Sequence, residues 1–255
     1  MTVALKRLKR HPETRSTFTK ILVSASLVLL VVGATVLVLV FYTDTCRIKN
    51  VVVKGSKNLD AYYVRLESGV DSYKNLITLP VGRIKSNLKQ DPWIEDVKIS
   101  RKLLHTVQIE IRERQPIAVI DFGGVGFLAD NHGFVIKKVD LAEYKSLALI
   151  NSGDTTIPIV GCEVGNRKIK ECIAAMGKMP VELRESITRA NPFDGRGQVF
   201  VCRLGFQIIY GTASDAAKKN EVMEAIMLDI KANHRKVAYL DLRIPDSPVI
   251  KPDQK

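Results

Sequence analysis

The chain has 255 residues, of which 46% are hydrophobic and 26% charged, a composition that excludes a disordered or low-complexity protein and leaves room for one large or two small folded units beside a membrane segment. Its formal charge of +12 fits nucleic acid, an anionic membrane or wall polymer, or simply a solvated basic surface. Where the charges sit decides among them.

Lys6, Arg7, Lys9, Arg10, Arg15 and Lys20 face a single acid, Glu13, in residues 1–20. An uncharged run of about 22 residues follows, Ile21 to Tyr42, matching the roughly 20 needed to cross a bilayer as a helix. A soluble core helix of this length would show a polar stripe, and this run shows none. No small-residue cleavage site follows, and Thr43-Asp44-Thr45-Cys46 lacks the small residue expected before a lipidated cysteine. The cations in front of the span predict a cytoplasmic amino terminus. Everything from about Thr43 then faces outward, which removes intracellular nucleic acid as a partner and points the basic surplus toward lipid heads or wall polymers.

Ile48, Val51 and Val53 predict a strand closed by Gly55, and Asn58 or Asp60 can cap a short helix over Tyr62–Glu67 that ends at Gly69. Val81, Ile84 and Leu88 recur at helical spacing after Pro80. Ile94, Val97 and Ile99 then predict a strand, and Val107, Ile109 and Ile111 a half-exposed one. The order strand-helix-helix-strand-strand suits a sheet covered on one face by two helices, with Trp93 expected between them and Pro116 ending the third strand. Glu113 and Arg114 are expected to bind across the junction or to face water.

Beyond Pro116, Gly123-Gly124 and Asp130-Asn131-His132-Gly133 are turn chemistry between short apolar runs and predict hairpins. Lys168–Met176 and Val181–Thr188 have helical patterns, Val199–Leu204 and Phe206–Tyr210 read as strands hinged at Gly205, and a helix capped by Ser214 or Asp215 is expected to run to Ala232. The last stretch, Tyr239 to Lys251, alternates like a strand yet contains Pro245 and Pro248, which a sheet tolerates only at a margin.

Several segments resemble the FtsQ/DivIB family of bacterial cell-division proteins. The resemblance is carried by Val51, Val53 and Gly55 of a V-x-V-x-G opening, by Pro92, Trp93 and Ile94 of a P-W-[VI] entry, and by Glu113, Arg114, Pro116 and Ala118 of an E-R-x-P-x-A exit. Leu104 departs from the proline common in that family's turn. The resemblance implies an α+β chain: a cytoplasmic tail over 1–20, a transmembrane helix over 21–42, a POTRA domain (β-α-α-β-β) over 46–115, a mixed β-sheet domain with packed helices over 116–251 that closes on Asp241-Leu242-Arg243, and a tail over 252–255.

No enzyme, cofactor or metal site is expected. Serines and histidines stand in no catalytic setting, and His11, His105, His132 and His234 lack metal-ligand spacing and are expected at the surface. Cys162 can bridge to Cys172 or Cys202, or all can remain unpaired small residues. A sheet margin at the carboxyl end offers N–H and C=O groups to an extended peptide. The resemblance implies that FtsB/DivIC-like and FtsL-like coiled-coil membrane proteins dock there, on Leu240, Asp241, Leu242, Arg243, Ile244, Asp246, Ser247, Val249, Ile250 and Lys251, in a division scaffold at the septum, with other division proteins and the membrane as further contacts. Ile244 stands where some family members carry an aromatic. The competing readings are a membrane-anchored POTRA transport or secretion component, which predicts a β-barrel or repeated POTRA units, an enzyme acting on wall polymers, and a generic membrane-bound binding module of the sporulation or wall-stress type.

Overall fold

The computed structural model describes residues 13–42, 46–102, 105–153 and 156–253, with side chains in the first helix described for 19–39. Lys6, Arg7, Lys9, Arg10, His11, the side chain of Arg15, Thr43–Thr45 and Leu104 lie outside the described residues.

Helix α1 (Glu13–Tyr42) contains a stretch, Thr19–Leu39, long and apolar enough to cross a membrane, none of which is buried by the rest of the chain. Within its uncharged part the hydroxyls turn inward on the backbone: Ser24 Oγ donates to Ile21 O, Ser26 Oγ to Leu22 O, and Thr35 Oγ1 to Val31 O. These three hydroxyls are thereby satisfied without water, which is the condition a hydrocarbon environment sets.

A three-stranded sheet follows, built from β1 (Asn50–Lys54), β2 (Ile94–Lys102) and β3 (Thr106–Glu113) in the order β1-β3-β2, with β3 parallel to β1 and antiparallel to β2. Helices α2 (Ala61–Ser68) and α3 (Val81–Leu88) cover one face. Asp60 caps α2 by accepting from Tyr62 N, and Gly69 closes it in the left-handed region at φ 64°. Val64, Ile84, Leu88, Ile94, Val97, Val107, Ile109 and Ile111 form the core. Ile94 and Val97 share that core despite odd spacing because a bulge between Ile94 and Asp96 inserts a residue.

Two of the recognisable motifs prove to be one device. At Gly55, φ 85°, a Cβ would lie 2.0 Å from Ile111 O, so only glycine lets the chain leave β1 across the end of β3. The loop so formed lies against Glu113, whose Oε1 accepts from Lys57 N (2.6 Å), Asn58 N (3.1 Å) and Leu59 N (3.1 Å), while Oε2 accepts from Asn58 N (2.9 Å) and Asn58 Nδ2 (2.7 Å). Glu113 thus binds within this unit and neither crosses the junction nor faces water.

The second sheet has nine strands in the order β12-β11-β10-β9-β8-β7-β4-β5-β6. In chain order these are β4 (Pro116–Phe122), β5 (Val125–Asp130), β6 (Val135–Val139), β7 (Ala148–Asn151), β8 (Ile187–Asn191), β9 (Gln198–Cys202), β10 (Gln207–Gly211), β11 (Val237–Asp241) and β12 (Val249–Pro252). Pro116 is the first residue of a central strand, where its missing N–H is tolerated. Helices α4 (Arg167–Gly177), α5 (Val181–Glu185) and α6 (Ala216–Ala232) accompany the main core, in which Phe200, Ile208, Tyr210, Met223, Leu240 and Leu242 are buried. Asn166 caps α4. Neither expected side chain caps α6: Asp215 stands at the cap position with left-handed backbone (φ 50°) and no capping hydrogen bond, and Ser214 Oγ bonds to Thr212 Oγ1. Buried Lys219 instead donates from α6 to Tyr210 O (3.0 Å) and Thr212 O (2.9 Å), tying the helix to the end of β10. The helical pattern expected over Val181–Thr188 stops early, because Ile187 begins β8.

Trp93 corrects a sequence expectation. It stands in the turn just before β2 and does not pack on the core between helices and sheet. Trp93 packs instead on a second cluster, Val119, Leu128, Ile136 and Val139, which belongs to the nine-stranded sheet. Beside it, Arg114 donates N–H to Trp93 O (2.8 Å), pairs through Nη1 with buried Asp130 (2.7 Å), and lies 3.7 Å over the Phe134 ring. His105 is half-buried, its Nδ1 3.0 Å from Arg47 O, whereas His132 and His234 are exposed. All four cysteines are unbridged: Cys46, Cys172 and Cys202 are buried and Cys162 is exposed.

Candidate functional site

The stretch from Tyr239 to Lys251 is a hairpin, not one interrupted strand. β11 pairs in parallel with β10 through Gln207–Tyr239, Ile208–Leu240 and Ile209–Asp241, and Leu242 N extends this by donating to Ile209 O (2.8 Å). The chain then turns. Ser247 N donates to Ile244 O (3.1 Å), which places Pro245 at the second position of a turn, where its fixed φ is favourable. Pro248 stands just before β12, which returns antiparallel with Asp241 opposite Val249, Leu240 opposite Ile250, Tyr239 opposite Lys251 and Val237 opposite Pro252. Both prolines lie outside the paired registers, and β12 is the outermost strand.

The expected docking residues separate into three groups. Val249, Ile250 and Lys251 are on β12 itself, where every residue is exposed. Asp246 and Ser247 correct the expectation that they form part of an extended margin: they are in the turn, the Ser247 N–H is already used, and Asp246 is paired with Lys218 of α6. Leu240 and Leu242 are wholly buried in the main core, so they support the margin from behind and present no side chain to a partner.

Asp241, Arg243 and Ile244 make the rim. Arg243 reaches back to Asp241, donating from N (3.0 Å), Nε (3.1 Å) and Nη2 (2.8 Å), and these bonds hold the Asp241 carboxyl below its ordinary range. The stem of Arg243 lies across Gly211, φ 75°, where an added Cβ would come within 2.9 Å of Arg243 Cγ. Ile244 is 66% exposed, Val249 52% and Ile250 37%, which leaves three apolar side chains open to solvent near fixed charges. Lys251 Nζ lies 5.7 Å from the centre of the Tyr239 ring. Gly211, Lys218 and Tyr239 were missed as supports of the rim; nothing local in the sequence marks Gly211 or Lys218, since both act across the fold. The arrangement can hydrogen-bond an extended chain through its backbone and select apolar and charged neighbours, and no group of three or more His, Cys, Asp or Glu able to hold a metal occurs among the described residues.

The family model described as POTRA domain, FtsQ-type, matches residues 46–114. A cell division protein FtsQ from Rickettsia typhi is 28% identical over 150 residues, covering 59% of this chain and 52% of that protein. The chain thus spans about half the length of this relative. A cell division protein DivIB from Clostridium tetani is 22% identical over 216 residues, covering 80% of this chain and 78% of that protein. FtsQ from Geotalea daltonii is 23% identical over 213 residues, covering 82% and 77%. The structure of the major extracytoplasmic domain of DivIB from Geobacillus stearothermophilus aligns with 15% identity and a TM-score of 0.34, over 48% of this chain and 97% of that one. The FtsQ-type domain, together with sequence similarity that continues into the second sheet, supports a kinship of this chain with the FtsQ/DivIB cell division proteins.

Proposed function

We propose that this chain is a bitopic scaffold of the bacterial division machinery, anchored by α1 with its amino terminus in the cytoplasm and both sheets outside, at the division septum. It links early and late division proteins by accepting an extended segment of an FtsB/DivIC-like or FtsL-like coiled-coil membrane protein along β12. The relatives carry the name of cell division proteins, and the single observation that supports this docking mode is an outermost strand whose four residues are all exposed. Val249 and Ile250 flank the backbone groups an incoming strand would use, Arg243 and Asp241 limit which charges can approach, and Ile244 offers an apolar foothold at the turn.

The test is co-purification of the full chain with such a partner from detergent-solubilised membranes. Ile244→Asp and Val249→Lys are expected to lower recovery about tenfold or more, the range of a contact residue at the centre of an interface. Thermal melting should remain unchanged, because both side chains are exposed. Unchanged recovery with Val249→Lys would remove β12 from the proposal, and unchanged recovery with Ile244→Asp would remove the foothold at the turn.

A further inference from the structure

The end of the three-stranded unit nearest α1 is built from three segments held together by backbone bonds. Leu76 N donates to Cys46 O (2.8 Å), Ile48 N to Lys74 O (2.8 Å), and Lys49 N to His105 O (2.8 Å). Arg101 Nε, arriving from the end of β2, donates to Leu76 O (2.8 Å). The segments 46–50, 73–79 and 100–107 contain neither Asp nor Glu. They do contain Arg47, Lys49, Lys74, Arg101 and Lys102, all exposed, beside exposed Ile77. Lys49, Lys74 and Lys102 have no carboxylate partner among the described residues. The other end of the same unit differs: there Lys85 and Lys89 pair with Asp96, and Arg112 with Glu95.

This cationic end is tethered to the apolar helix. Only residues 43–45 separate Tyr42 from Cys46, so even a fully extended connection spans no more than about 14 Å. Charges held so near an anionic bilayer lie within the reach of its surface potential, which decays over about 8 Å at physiological ionic strength. Ile77 adds an apolar group at the same end.

We propose that this end of the three-stranded unit is a membrane-contact face, on which Lys49, Lys74 and Lys102 engage the phosphate groups of anionic lipids in the bilayer that α1 crosses. The proposal rests on the anchored reading of α1 and is independent of docking at β12. Its occupant is the lipid surface because the tether delivers it there, and because the acid-free composition is confined to the end the tether enters.

The experiment uses the full chain reconstituted into vesicles of phosphatidylcholine, with or without about 30% phosphatidylglycerol, and amine acylation read residue by residue by mass spectrometry. In the anionic vesicles Lys49, Lys74 and Lys102 are expected to be acylated about fivefold more slowly than in neutral ones. That protection should disappear in about 1 M salt, where the screening length is about 3 Å. Lys137 and Lys138, exposed on β6, should react equally in both. Stable insertion with equal rates at the three lysines overturns the membrane contact alone, as does equal slowing in neutral and anionic lipid, which would assign the protection to something other than the net negative charge of the lipid surface. Extraction of the chain by alkaline carbonate would instead overturn the anchored reading of α1, and the contact with it.

Discussion

Glu113 is the residue on which the first sheet's loop geometry depends, and Glu113→Gln is a sharp perturbation of it. The carboxylate is buried and accepts from three backbone N–H groups and one amide. Glutamine keeps one acceptor and turns an NH2 group onto Asn58 N and Nδ2, so that donors face donors. A hydrogen bond to a charged group contributes roughly 1.5–3 kcal/mol, but the loop at 57–59 is partly exposed and water can replace some of the loss, which limits the expected destabilisation to about 3 kcal/mol. For a unit of this size that corresponds to a fall in Tm of roughly 12 °C or more. Amides of Lys57, Asn58 and Leu59 should exchange faster. The pH dependence has a definite sign. Burial pushes the Glu113 carboxyl up, yet the bonds from Lys57, Asn58 and Leu59 outweigh it, and the net shift is downward. Its contribution is therefore fully present above the unfolded value of about 4.3 and is lost as pH falls through the lower folded value. The gap between the parent chain and Glu113→Gln should be widest at neutral pH and close on acidification below about pH 4. Melting within about 2 °C of the parent at pH 7, or a gap that stays constant from neutral to acid, would refute the account.

Gly55→Ala should destabilise the same unit by about 2–4 kcal/mol in urea, because the new methyl meets Ile111 O with no flexible side chain to give way; a loss below about 0.5 kcal/mol would contradict the close approach. Thiol labelling of the folded chain should modify exposed Cys162 about a hundredfold faster than Cys172, whose thiol burial pushes up to about 12, or Cys202, which burial also pushes up. Equal labelling of all three, or a disulfide on non-reducing mass analysis, would overturn that assignment.

What the sequence made legible was what is decided locally. The caps of α2, the turn glycines of the β4–β5 and β5–β6 hairpins, and the alternation of β3 all follow from neighbours within a few residues. β7 and β8 escaped detection because Ala148–Asn151 and Ile187–Asn191 are short, and each ends on a polar asparagine. They are strands because partners far along the chain pair with them in parallel register. Trp93 was assigned to the wrong side for a related reason. Trp93 stands in the turn just before β2, where no alternation fixes the face it takes, and that face was settled by a second sheet that local pattern does not reveal. At the carboxyl end the alternation and the two prolines were both read correctly as features of a margin, while the reversal between them was hidden, since a strand and a tight hairpin share the same period of two.

The placement of the two sheets constrains any partner that docks at β12. β2 runs from Ile94, beside the Trp93 junction, to Lys102, at the end the membrane tether enters. Nine residues of strand extend about 30 Å, so on the proposed reading the second sheet is joined to the first at its membrane-distal end. The junction cluster draws on β4, β5 and β6, whereas β12 closes the opposite margin, several strand spacings of about 4.8 Å away. Anchoring and recognition are thereby separated along the molecule. A membrane-bound partner that reaches the level of the junction must carry its segment roughly 30 Å above its own span, which takes about 20 residues of helix at 1.5 Å each or about nine residues fully extended. A continuous helix rising from the bilayer and ending in a short extended segment meets this requirement with little conformational entropy left to lose, whereas a short flexible tether does not reach. The coiled-coil membrane proteins proposed as partners would have such a reach.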